Sequence, residues 1–101
     1  MQDLNDLYYF AAVVDHGGFA AAERALGIPK SRLSRRISAL EGELGVRLLQ
    51  RSTRRFAVTD VGTSVYRHAQ SMLAEAQAAH EVVDRLSAEP RGVVRVSVPV
   101  E

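Results

Sequence analysis

The residues best suited to chemistry lie in one basic stretch, KSRLSRRISAL, where Lys30, Ser31, Ser34, Arg35 and Ser38 recur at helical spacing. At ~100° per residue they share one helix face, with Arg32 and Arg36 to one flank. Short hydroxyl side chains beside long cations let a helix come close to a polyanion, and the major groove of duplex DNA admits a helix of that kind. Lys30 lies in the first turn, where such a helix meets base edges, and Ser31, Ser34, Arg35 and Ser38 share its face. Arg32, Arg36 and Ser38 are candidates for phosphate contacts, as are Arg51 and Arg55 further along. Residues 24 to 55 hold nine bases against two acids, a net +7, whereas the rest of the chain is −6 and the whole only +1. A solvated helix face is the ordinary reading of such a run, and the order of the surrounding elements must decide against it.

Other chemistries find little support. The chain has no Cys and no Trp, which closes off a disulfide framework, a thiolate metal site and a cysteine nucleophile. His68 and His80 differ by twelve residues, which sets them ~120° apart on a helix, and His16 adjoins a Gly-Gly turn. Each histidine is read as solvated or packed. Glu41 and Glu43 diverge on a helix and are read as solvated or paired with Arg47. Gly17 and Gly18 lack the further glycines and Lys of a phosphate loop. Neither an enzyme nor a metal or cofactor site in this segment is expected.

The elements that must position the basic face read clearly. At 101 residues, with 47% hydrophobic and 25% charged, the chain suits one small globular domain with an appendage. Leu4, Leu7, Phe10, Ala11, Val13 and Val14 mark a helix over about residues 3 to 16, with Asp3 as N-cap and Gly17 and Gly18 as its stop. FAAAERAL forms a second helix, ended by Gly27. A third begins near Pro29 and carries one buried stripe of Leu33, Ile37, Leu40 and Leu44. VRLLQRS and RRFAVT then predict two short strands joined by a polar turn, with Leu48, Phe56 and Val58 pointing inward. From Thr59, an N-cap, a long helix runs to about Ala88, before Pro90 and Gly92.

That helix is longer than a compact core of this size requires. Val65, Ala69, Met72, Ala76, Ala79, Val83 and Leu86 alternate spacings of four and three, a heptad seam that predicts pairing with a second copy. Near Val65 the seam also packs on the chain's own core. The predicted division is 1–58 for the basic domain, 59–89 for a linker and dimerisation helix, and 90–101 for a hinge and the start of a larger domain, since RGVVRVSVPV alternates like an unpaired strand. The acidic MQDLNDLYYF start is unlike a signal peptide, and no run of about 18 apolar residues occurs. A cytoplasmic protein without membrane attachment is expected.

Helix, helix, turn, helix, hairpin is the order of a winged helix-turn-helix, a mainly α fold of three helices plus a two-stranded β-hairpin wing. Leu7, Phe10, Gly18-Phe19, Ala21-Ala22, Leu26, Leu33-Ser34-Arg35, Ile37, Leu40-Glu41, Leu44-Gly45, Leu48, Arg51, Thr59 and Gly62 stand at spacings that resemble the N-terminal module of LysR-type transcriptional regulators. The resemblance covers residues 1 to about 90. It implies sequence-specific binding of double-stranded DNA with two related half-sites and antiparallel homodimerisation through the long helix. It also implies a tetramer when intact, and a small-molecule effector bound in a C-terminal domain outside this chain. It assigns base reading to Lys30, Ser31, Ser34 and Arg35, and a minor-groove contact to Arg54. Two departures stand out. Lys30 occupies a position where the family commonly has Gln, which shifts readout toward guanine acceptors. Gly18 stands where Ser is frequent, so a backbone N–H would serve a phosphate there. The alternative is a coiled-coil adaptor whose basic patch meets an acidic protein, which gives no reason to group Ser with Arg or to place arginines on a hairpin tip.

Overall fold

A computed structural model describes residues 3–51 and 54–88. Four helices follow in order: α1 (Leu4–His16), α2 (Phe19–Leu26), α3 (Lys30–Leu44) and α4 (Asp60–Ala88). Their ends have local causes. The Asp3 carboxylate accepts the Asn5 N–H and caps α1, and Gly17 closes it at φ 78°, a left-handed conformation that costs glycine little. Pro29, expected inside the first turn, is instead the residue before the helix, with ψ 138° and its carbonyl accepting from Arg32 and Leu33.

The first three helices close around Phe10 and Val13 of α1, Ala22 of α2, and Leu33, Ile37 and Leu40 of α3, joined from below by Leu48 and Leu49. Burying an aliphatic or aromatic side chain of this size contributes about 1.5 to 3 kcal/mol, so this cluster is what fixes α3 in place. Leu44 departs from the expected stripe: the last turn of α3 outruns the core and leaves it exposed. Phe19 packs edge-on against Phe56, with ring centroids 6.3 Å apart, and so ties the start of α2 to the segment after α3.

The expected two-stranded hairpin is seen in part. Among the described residues the pairing is a single antiparallel bridge between Leu49 and Val58, flanked by bonds from Gln50 N–H to Ala57 O and from Thr59 N–H to Leu48 O. Residues 52 and 53, in the expected turn, lie outside the described residues, as does 90–101. The N–H groups of Leu48 and Leu49 both donate to a Glu41 carboxylate oxygen, at 2.8 and 3.1 Å.

Thr59 joins this segment to α4. Its hydroxyl donates to Arg47 O at 2.6 Å and accepts from Gly62 N–H at 2.9 Å, the capping role expected of it. The first half of α4 then lies along α1, where Ala69 is buried and the Tyr66 hydroxyl donates to Asp15. No helix among the described residues is long and apolar enough to cross a membrane.

Candidate nucleic-acid interface

The α3 sequence sets its own two sides. Leu33, Ile37 and Leu40 are fully buried, so Ser31, Arg35 and Ser38, ~100° or more around the helix from all three, face outward. Lys30, Ser31, Arg35 and Ser38 are all exposed and Ser34 is half-buried. The predicted base-reading group is thus brought together on one open face, with its cations at the solvent edge. Beside it Arg32, Arg35 and Arg36 line a polar depression completed by Asp3, Asn5 and Tyr9 of the α1 start.

A second cluster forms where α2 begins. Gly18, Arg51, Arg54 and Arg55 line one open cleft with Phe19 and Phe56. Gly18 is the N-cap of α2 with φ 151° and ψ 173°, a backbone that residues with a Cβ rarely adopt. The absence of a serine hydroxyl there is thus matched by a conformation suited to glycine. The start of α2 presents backbone N–H groups and the positive end of its helix dipole into a cleft that also carries three arginines.

Two of the arginines expected on phosphate are engaged within the chain. Arg36 donates from Nε to Asp6 and from Nη2 to Asp3, both at 2.8 Å. Arg51 donates to the Glu41 carboxylate, whose other oxygen takes the Leu48 and Leu49 N–H groups. Glu41, read from the sequence as solvated or paired with Arg47, is buried, and it does pair with Arg47, at 3.7 Å. Burial alone would raise the Glu41 pKa, but the two backbone donors and the adjacent Arg51 guanidinium outweigh it and hold the carboxyl below its ordinary 4.5. Glu43 is exposed, as expected. Asp6 and Glu41 are thus structural acids; the sequence reading named the Glu41–Arg47 pair but not the burial of Glu41, and did not single out Asp6. A signal for Asp6 existed: it precedes Phe10 by four and Val13 by seven, on the buried stripe of α1.

The heptad seam divides near its middle. Val65 packs against the chain's own core and Ala69 is buried beneath α1, so these two are covered without a second copy. Met72 is half-buried, whereas Ala76, Ala79, Val83 and Leu86 are exposed, the last two at 59% and 55%. Together with Val82 they leave an apolar far end on α4. Among the described residues no group of three or more His, Cys, Asp or Glu is placed to hold a metal ion.

Comparison with known proteins places this geometry. Residues 4–63 match the family described as bacterial regulatory helix-turn-helix protein, lysR family. An HTH-type transcriptional regulator of Xanthomonas campestris pv. campestris is 43% identical over 97 residues, covering 96% of this chain and 28% of the relative. PtxR of Pseudomonas aeruginosa, also an HTH-type transcriptional regulator, is 45% identical over 97 residues, 96% of this chain and 31% of its own length. The chain therefore spans under a third of either relative. Among solved structures, the BenM DNA-binding domain in complex with catB site 1 DNA superposes with a TM-score of 0.78 at 34% identity, over 86% of this chain and 94% of that one. CbnR, a LysR family transcriptional regulator, gives a TM-score of 0.74 at 31% identity, over 85% of this chain and 30% of its own.

Proposed function

Because the chain belongs to the lysR family of bacterial regulatory helix-turn-helix proteins, we propose that it binds double-stranded DNA sequence-specifically, as the DNA-binding and linker part of a transcription regulator. The observation that carries this reading is the α3 face: Lys30, Ser31 and Arg35 stand exposed directly over a fully buried Leu33–Ile37–Leu40 stripe. A helix held so firmly can present those groups to a major groove with little loss of side-chain order. In this reading Lys30, Ser31, Ser34 and Arg35 read bases. The segment between α3 and α4 is the wing, which carries Arg54 to the adjacent minor groove. Gly18, Arg32, Ser38 and Arg55 meet phosphates. The coiled-coil adaptor is not favoured, since it accounts for neither the family match nor the second arginine cluster beside α2.

Residues 1–58 then form the DNA-binding unit and 59–89 the linker, through whose exposed far end two copies pair, so that the DNA carries two related half-sites. Residues 90–101 begin a further domain that takes a small-molecule effector, and the intact cytoplasmic protein is a tetramer. The short coverage of the relatives and the resemblance to the family support this part of the reading.

Titration of a labelled duplex at several salt concentrations tests DNA binding directly, because affinity carried by several phosphate contacts falls steeply with salt. Arg35→Ala is expected to lower affinity for a duplex selected from a random pool by about 1 to 3 kcal/mol, and affinity for random duplex much less. Equal weakening of both would make Arg35 a phosphate contact. For the linker, Ala79→Glu places a charge in the proposed helix pair, and sedimentation should show the dimer dissociation constant rise about tenfold or more. An unchanged dimer would remove the far seam as the interface.

A further inference from the structure

We propose that Arg36 is a positioning residue and makes no phosphate contact: its guanidinium is committed to Asp6 and Asp3, and through them it sets how α3 sits on α1. The proposal rests on the DNA-binding reading above. Its first support is the pair of bonds from Nε to Asp6 Oδ1 and from Nη2 to Asp3 Oδ2, both 2.8 Å, which occupy the Nε–Nη2 edge of the guanidinium and fix its plane against α1. Its second is the burial of Asp6, only 4% exposed. Withdrawing Arg36 toward DNA would leave that carboxylate buried beside α3 without its cation, a costly exchange.

The third support is direction. On α3 Arg36 lies ~160° around the helix from the middle of the Lys30–Ser34–Ser38 face. It sits between Leu33 and Leu40, one turn away on either side, both fully buried. A helix seated in a groove by its serine face therefore carries Arg36 on the side turned to α1. Asp3 completes the arrangement. One of its oxygens caps α1 at Asn5 N–H and the other receives Arg36, so the group that starts α1 also restrains α3.

A positioning residue and a phosphate contact predict different salt behaviour. Each phosphate neutralised contributes about 0.9 to the slope of log affinity against log salt. For Arg36→Gln we expect the wild-type slope, random-duplex affinity within about twofold of wild type, and about a tenfold loss on the selected duplex. In Asp6→Asn the selected-to-random ratio should fall by the same factor, and the double variant should lose nothing further, as for two groups acting through one interaction. Circular dichroism checks the fold. Should Arg36→Gln unfold, Arg36→Lys, which can keep one of the two ion pairs, carries the same slope measurement. A slope reduced by about 0.9 with equal weakening on both duplexes would overturn the proposal, and so would an Arg36→Gln variant that binds both like wild type. A wild-type chain showing no salt-dependent DNA binding would instead overturn the DNA reading itself, a failure seen before any variant is made.

Discussion

Glu41→Ala is expected to lower the unfolding free energy by about 3 kcal/mol, because it orphans two buried backbone donors at about 1 to 3 kcal/mol each while admitting some water. The Leu48 and Leu49 N–H groups have this carboxylate as their acceptor, and Arg51 holds its other oxygen. A small domain has only about 5 to 15 kcal/mol in total, so the loss is large. Glu41→Gln keeps a carbonyl oxygen for the backbone donors but turns an amide N–H₂ toward Arg51, and should cost less than Ala. The same acid gives stability a direction with pH. The folded carboxyl titrates below its ordinary 4.5, so the folded state favours the ionised form. That contribution is complete above the unfolded value and is lost as pH falls from there through the folded one. Urea unfolding at pH 7 and at mildly acidic pH checks both points. Glu41→Gln should remove part of the acid-side decline, and a variant as acid-sensitive as wild type would show that other carboxylates govern it.

The helices were legible because their causes are local. Apolar residues three and four apart, an Asp before α1, and glycines after each of the first three helices are signals within a few residues of what they determine. The serine and arginine face of α3 was legible for the same reason, since helical spacing alone puts those groups together. The two buried acids were not. Glu41 is fixed by a segment seven residues beyond it, and Asp6 by an arginine thirty residues away. A charged residue read one at a time is rightly assigned to solvent. The ion pairs of Arg36 and Arg51 are illegible for the same reason, because counting cations says nothing of which already have a carboxylate. Of the hairpin, the described residues carry the Leu49–Val58 bridge, and its turn lies outside them.

The second large effect is expected at Gly62, in the first turn of α4, where substitution by Ala should destabilise by about 3 kcal/mol. A Cβ built there meets the Leu48 carbonyl oxygen at 2.2 Å and Val58 Cγ1 at 2.7 Å. Neither neighbour yields easily. The Leu48 oxygen also accepts the Thr59 N–H at 3.0 Å, and the Leu48 side chain is wholly buried. Helix propensity pulls the other way, since Ala is better than Gly within a helix by about 1 kcal/mol, but overpacking against a fixed backbone outweighs it. Gly42, exposed on α3 with nothing within 4 Å of an added Cβ, is the internal comparison. Gly42→Ala should raise stability by up to about 1 kcal/mol. The steric cost at Gly62 also bears on the proposed function. Thr59 and Gly62 are where α4 leaves the body that holds α3, so relief by tilting α4 would change the separation of two recognition helices in a dimer joined at its far end. We therefore expect Gly62→Ala to lower the melting temperature by about 12 to 24 °C, and to lose affinity for a two-half-site duplex more than for a single half-site. A Gly62→Ala protein as stable as wild type would mean that the approach to Leu48 is not a constraint. A variant destabilised but unaltered in its preference for two half-sites would mean that the start of α4 does not set their spacing.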